Sequence, residues 1–225
     1  MVVEAESVIT PAAVDKKLNR TERKRIETRN KLLAATLKLM VEKGVEKTTM
    51  NDISDAADLG RRTFYNHFSS KEECMIAAAA ADIQKHAINV FMHTSKLTDE
   101  ALVVATSTQF VMAALVKEPV VRCLVDRPRM LSAALFGAVG EFVKRDAESG
   151  IRSGRFDPPL TGKPLDNMMR WSLVGLLIEA MDAESDFNEC LMGYSRLFLT
   201  MLGLESAEAH KVSLQAAKNL AAANA

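Results

Sequence analysis

Between Gly44 and Ser70 the chain has room for only two short helices and a tight turn, and that spacing constrains the fold more than any other feature. From about Thr21 to Lys43, Ile26, Leu33, Leu37 and Met40 recur at helical spacing, giving one stripe that faces a core. Gly44 is a natural stop. Thr49 precedes Met50-Asn51-Asp52, with the acid where it favours a helix start, so a short helix is expected over about 50–57 with Ile53, Ala56 and Ala57 inward. Asp58-Leu59-Gly60 reads as a tight turn. A second short helix is expected over about 61–67, with Phe64 and Phe68 four apart on its core face. Ser70 and Glu73 form a capping box that starts a long helix reaching about Thr94.

Composition supports helix throughout. Glycine occurs only 10 times and proline 6 times in 225 residues, so an all-β chain is excluded. Hydrophobic residues make up 48% and charged residues 26%, which excludes a disordered or fibrous chain. Three widely spaced cysteines, Cys74, Cys123 and Cys190, fit neither a zinc motif nor a disulfide framework. The acidic start Met1–Glu6 does not resemble a signal peptide, and the longest apolar run is too short for a membrane span. The expectation is a cytoplasmic protein with no membrane partner.

The net charge is zero, with 29 basic and 29 acidic residues, yet the charges are segregated. Residues 15–74 carry 14 basic and 10 acidic side chains, and residues 16–31 alone carry eight basic against two acidic. Such a run attracts phosphate, although a solvated helix face has the same composition. Arg61 and Arg62 separate the two readings. They occupy the first turn of the second short helix, where cations oppose the macrodipole, so folding gives no reason for them. A recognition helix does, because its first residues meet bases and phosphates. Tyr65, Asn66 and His67 can donate to the same partners.

Taken together, Thr28-Arg29, Leu33-Ala34-Ala35, Gly44, Thr48-Thr49, Ile53, Ala56-Ala57, Thr63-Phe64-Tyr65-Asn66-His67-Phe68 and Lys71-Glu72 resemble the DNA-binding domain of TetR-type (TetR/AcrR) transcriptional regulators over about 20–75. The resemblance implies an all-α protein: an N-terminal three-helix helix-turn-helix domain, then a C-terminal helical bundle for ligand binding and dimerisation. The expected limits are a basic-ended arm over 1–19, the DNA-binding domain over 20–72 and the bundle over 73–225. The expected DNA contacts are Arg20, Arg23, Lys24, Arg25, Thr48, Thr49, Arg61, Arg62, Thr63, Tyr65, Asn66, His67 and Lys71. Two positions depart from the family pattern. Asp58 stands where glycine is usual in the turn, and Gly60 replaces a serine cap.

Beyond residue 75, helical patterns cover about 99–117, 119–126, 129–152, 165–183, 187–203 and 207–222, with a Gly/Pro-rich loop over 150–164. The 165–183 and 187–203 helices are apolar all round, so each is buried on more than one side. The resemblance makes them a dimer interface, with Val174, Gly175, Ile178, Leu191, Tyr194 and Phe198 as candidates. A small, mostly apolar effector is implied, with Phe91, Phe110, Met112, Arg122, Cys123, Phe136 and Trp171 as candidate contacts. No metal ligands or cofactor are expected. No phosphate loop, metal-spaced cluster or nucleophile elbow points to an enzyme. The expected partners are double-stranded operator DNA, a second copy of the chain and the effector. The competing reading is a helical small-molecule-binding protein without specific DNA binding, or a regulator that answers to no ligand.

Overall fold

A computed structural model describes residues 19–181 and 187–223. The expected arm therefore lies outside the described residues, except Asn19. Ten helices and no strands occur among the described residues: α1 Arg20–Lys47, α2 Met50–Ala56, α3 Arg61–Tyr65, α4 Lys71–Thr94, α5 Glu100–Leu115, α6 Pro119–Arg122, α7 Pro128–Ser153, α8 Lys163–Ala180, α9 Phe187–Met201 and α10 Ser206–Ala223.

Helix starts are written in local hydrogen bonds. Asn19 caps α1 through a reciprocal pair with Glu22, each bond 2.9 Å. Thr49 and Asp52 do the same for α2. Ser70 caps α4 by accepting from the Glu73 amide at 3.1 Å. The Glu73 carboxylate does not close the expected box on Ser70. It accepts instead from the amide and hydroxyl of Ser69, one residue earlier. Gly44 breaks the α1 path with φ +82°, a value that disfavours any residue carrying a Cβ.

Two cores result. Leu32, Ala35, Ile53, Ala57, Phe64, Phe68 and Cys74 close the first, between α1, α2, α3 and the start of α4. The second fills the bundle of α4 to α10. α4 serves both: Cys74 faces the first, while Met75, Ala79 and Ile83 face the second. α4 packs along α7, and the alanine run at 77–81 lets them approach closely. A Cβ on Gly137 of α7 would lie 3.5 Å from that of Ala80. A second link to α1 comes from the α6 region, where the Cys123 thiol donates to the Met40 carbonyl and Arg127 pairs with Glu46. His86 of α4 meets Glu118 at 2.9 Å.

The loop after α7 begins later than its glycines suggest. Gly150 lies inside α7, where the buried Phe156 ring packs against its backbone. A Cβ there would meet that ring at 2.1 Å. The loop then crosses the α9–α10 turn, where Gly203 sits at φ +93° against Asp157. A Cβ on Gly203 would fall 2.2 Å from the Asp157 carbonyl oxygen. Gly203→Ala combines left-handed strain with a backbone clash. It should cost about 2–4 kcal/mol in urea unfolding.

Candidate DNA-binding surface and effector cavity

The reading head rests on one turn. α2 ends in a Schellman motif: the Leu59 amide donates to Ser54 O at 2.9 Å and the Asp58 amide to Asp55 O at 3.0 Å. Asp58 occupies the left-handed position at φ +54°, the one non-glycine residue with positive φ among the described residues. An aspartate tolerates this conformation better than most residues, which explains how the turn survives without the usual glycine. Gly60 then precedes α3 with no side-chain cap, although the space beside it is open.

α3 is anchored by Phe64, fully buried, and by Phe68 beyond it, the rings 5.9 Å apart. Anchoring this face turns the other outward. Arg61, Arg62, Tyr65 and Asn66 are exposed, and Thr63 is half-buried. Neither arginine side chain makes a hydrogen bond or ion pair within the described residues. Tyr65 is 58% exposed, with its ring edge-on to Phe64 at 5.7 Å, so packing directs the hydroxyl away from the core.

The α2 start differs from expectation at one residue. Thr48 is buried, and its hydroxyl donates to the Gly44 carbonyl at 2.7 Å, so its side chain cannot reach DNA. Its carbonyl instead accepts from Lys71 Nζ at 3.1 Å, which ties the start of α4 to the start of α2. Lys71 thus carries a structural bond at the position expected for a phosphate contact. Thr49 is exposed. Its hydroxyl donates to Asp52 Oδ2 at 2.6 Å, and Lys43 Nζ lies 2.7 Å from that oxygen. The Lys43 bond, with the Thr49 bonds behind it, holds the Asp52 carboxyl well below the usual carboxylate range.

Alongside runs a basic groove. Glu22, Arg25, Ile26 and Arg29 of α1 face His67 across it. Arg20, Arg23 and Lys24 are exposed on the same helix. Arg29, part of the basic run but not among the expected contacts, has its guanidinium carbon 4.5 Å from the centre of the Phe68 ring. Its spacing of four from Arg25 was the available signal. Burial, with the charges of Arg25 and Arg29, holds the His67 imidazole below its ordinary 6.5.

The bundle contains a cavity of about 70 Å³ between α4, α5, α7, α8 and α9. Of the seven expected ligand contacts, only Phe91 lines it. Met112 is fully buried in the core. Phe110 stacks on His93 at 4.5 Å, and Phe136 lies under the Arg170 guanidinium. Arg122 is exposed, Cys123 is bound to Met40, and Trp171 is 47% exposed on the outer face of α8. The polar wall is instead Arg145 and Asp146 of α7. Sequence reasoning missed both. Val139, Phe142, Val143 and Asp146 share one helix face, so the acid continues an apolar stripe, and that was the signal.

The expected interface residues divide. Val174, Leu191, Tyr194 and Phe198 are buried in the protomer's own core. A second subunit cannot reach them, because an all-apolar helix spends one side on its own bundle. Gly175 is exposed and Ile178 half-buried, and the outward apolar residues are Met168, Trp171 and Leu197.

Comparisons with known proteins agree with this layout. Residues 32–87 match the model of the bacterial regulatory proteins of the tetR family. The chain is 38% identical over 60 residues to the HTH-type transcriptional regulator TcmR of Streptomyces glaucescens, covering 27% of this chain and 26% of that protein. It is 39% identical over 54 residues to the probable acrEF/envCD operon repressor of Escherichia coli K12, with 24% of each chain covered. The chain thus spans about a quarter of the length of the curated relatives it matches. Among solved structures it is similar to RolR in complex with resorcinol, with TM-score 0.71 and 24% identity over 85% of this chain and 95% of that one. It is also similar to Thermus thermophilus FadR in complex with lauroyl-CoA, with TM-score 0.61 and 16% identity over 79% and 96%. At these identities the structures share the fold.

The lowered titration of His67 has a measurable consequence. Its unfolded form takes up a proton near 6.5, and its folded form does so only at lower pH. Stability is therefore retained above 6.5 and lost as pH falls through the folded value. His67→Gln should remove that part of the acid-side loss, read as a shallower dependence of the urea midpoint on pH.

Proposed function

We propose, from the match of residues 32–87 to the model of the tetR family of bacterial regulatory proteins, that the chain is a dimeric, sequence-specific DNA-binding repressor released from its operator by a small-molecule effector. The observation that carries the reading is the pair Arg61 and Arg62. Their side chains are exposed on α3, Arg61 in its first turn against the dipole, and make no bond among the described residues. Placed in a major groove, they meet guanine edges and phosphates, and Thr63, Tyr65 and Asn66 follow on the exposed side. Thr49, His67, the remaining Lys71 protons and the α1 cations flank them as phosphate contacts.

A near-palindromic operator requires two such heads roughly 34–36 Å apart. The outward stripe of Met168, Trp171, Gly175 and Ile178 on α8, with Leu197 on α9, supports a dimer face. Gly175 has open space where a Cβ would stand, which admits a partner helix closely.

The cavity supports the effector reading and limits its size. Its volume of about 70 Å³ is below the roughly 150 Å³ of an apolar cavity that holds one benzene ring, so a single ring needs modest opening of the walls and a larger ligand needs more. Resorcinol, the ligand in the RolR complex, is a single ring, whereas lauroyl-CoA, the ligand in the Thermus thermophilus FadR complex, is far larger. The mechanism is a population shift in which ligand favours a spacing of the two heads that does not fit the operator.

Selection of genomic fragments with purified protein should enrich a near-palindromic site, and Tyr65→Ala should lose it. Arg61→Ala should cost about 1–3 kcal/mol on that site and less on random DNA, if it reads a guanine. An equal loss on every sequence would assign it to phosphate, and sequence-blind binding by the wild type would overturn the regulator reading. The double variant Trp171→Arg, Leu197→Arg should sediment as a monomer with helical content unchanged.

A further inference from the structure

The chemistry of the cavity wall selects the ligand more sharply than its size does. Sixteen residues line it, and most are apolar. Among its polar groups the Ser107 hydroxyl can donate or accept, while the two threonines and Asp146 are left to accept. The Thr94 hydroxyl already donates to Val90 O at 3.1 Å and that of Thr108 to Val104 O at 2.8 Å. Each therefore offers a ligand only its lone pairs. Asp146 offers more. Its side chain is 14% exposed, and its partner is the neighbouring Arg145, which donates through Nε at 2.9 Å and Nη2 at 2.7 Å, both to Oδ1. Oδ2 has no partner among the described residues. Burial pushes the Asp146 carboxyl up from its ordinary value against the pull of Arg145.

Arg145 does not offset these acceptors. Its guanidinium is folded onto Asp146, with its carbon 5.4 Å from the centre of the Phe142 ring, and its side chain is mostly solvent-exposed. An anionic ligand at this wall would meet the Asp146 carboxylate along with the arginine.

We propose that the cavity binds a one-ring apolar molecule that presents a hydrogen-bond donor, a hydroxyl or an amine, to Asp146 Oδ2. The ring lies among the side chains of Val90, Val104, Val111, Val139 and Leu173, which form an apolar wall. The donor pairs with a carboxylate oxygen that has no partner among the described residues. An ether of the same shape leaves it open, and a carboxylate repels it. Sites built to pair a buried polar group discriminate strongly against analogues that cannot pair it. This ligand class rests on the effector reading above, because it assigns chemistry to the same cavity.

Calorimetric titration of the full chain with p-cresol, p-methylanisole, p-toluate and p-methylbenzylamine tests it. The cresol should bind roughly ten- to a hundredfold tighter than the anisole, the range expected for one hydrogen bond to a charged group, and the toluate should bind weakest. The benzylamine distinguishes a cationic donor from a neutral one. In Asp146→Leu, which removes the acceptor and a buried charge, the ratio of cresol to anisole should fall to about one. If that variant does not fold, Asp146→Asn, whose amide can donate to the ether oxygen, should raise the anisole relative to the cresol. Equal binding of cresol and anisole by the wild type overturns the proposal. So does a preference that survives in Asp146→Leu, a preference for toluate, or no saturable binding of any probe. Cresol binding that leaves operator affinity unchanged keeps the ligand class and overturns the effector reading alone.

Discussion

The continuity of α4 is the constraint on which the rest of the molecule depends. The helix begins where Lys71 is bonded to the Thr48 carbonyl, beside the reading head. It ends where Ala87, Val90, Phe91 and Thr94 form a wall of the cavity. Its 24 residues span about 36 Å as one hydrogen-bonded rod. Cys74 lies in the first core and Met75 in the second, so neither core can shift without moving the other's supporting helix. In the proposed effector reading, a ligand against the last turns of α4 would act on a lever whose other end carries α2 and α3. The contacts of Cys123 and Arg127 with α1 give that lever a second point of attachment. Packed helices have discrete arrangements, so a small displacement at the cavity translates into one head position or another.

Electrostatics divides the same molecule. A chain of zero net charge gathers basic residues on α1 and α3, and three acids of that region are committed to helix starts. Glu22, Asp52 and Glu73 each accept from a backbone amide at the start of a helix. Lys43 is engaged by Asp52 and so withdrawn from the surface field. The cations left outward are those of the groove and of the α3 start. Local capping chemistry thus determines which charges remain available to a polyanion, which the net charge of the chain does not reveal.

How much of this was legible in the sequence follows from the range of each signal. Caps, stops and the 3.6-residue period are local, so the order of the helices and the Asp58 turn could be read directly. Thr48 was misjudged because its burial depends on how the chain folds back at Gly44, which no window around the residue reports. In α8 and α9 the apolar residues encircle the helix, so periodicity cannot say which side faces the protomer's own bundle. That is why Val174, Leu191, Tyr194 and Phe198 proved to be core. The cavity was least legible, because five helices distant in sequence supply its wall.

Positions that break a local rule sort by whether the fold absorbs the violation. Asp58 breaks the rule against left-handed side chains, and the Schellman bonds at its own backbone account for it fully. Gly150 breaks a long helix pattern, and the Phe156 ring fills the space its missing side chain leaves. Arg61, Arg62 and Asp146 are different. The arginines oppose a helix dipole with no carboxylate in reach, and the aspartate interrupts an apolar stripe with one oxygen left open. The fold pairs Asp146 only with its neighbour Arg145 and leaves the side chains of Arg61 and Arg62 unpaired among the described residues. Such residues are retained when a partner outside the chain completes them. In the proposed reading the partner of the arginines is an anion large enough to span an exposed face, and that of the aspartate a donor small enough to enter the cavity. The two requirements lie at opposite ends of α4.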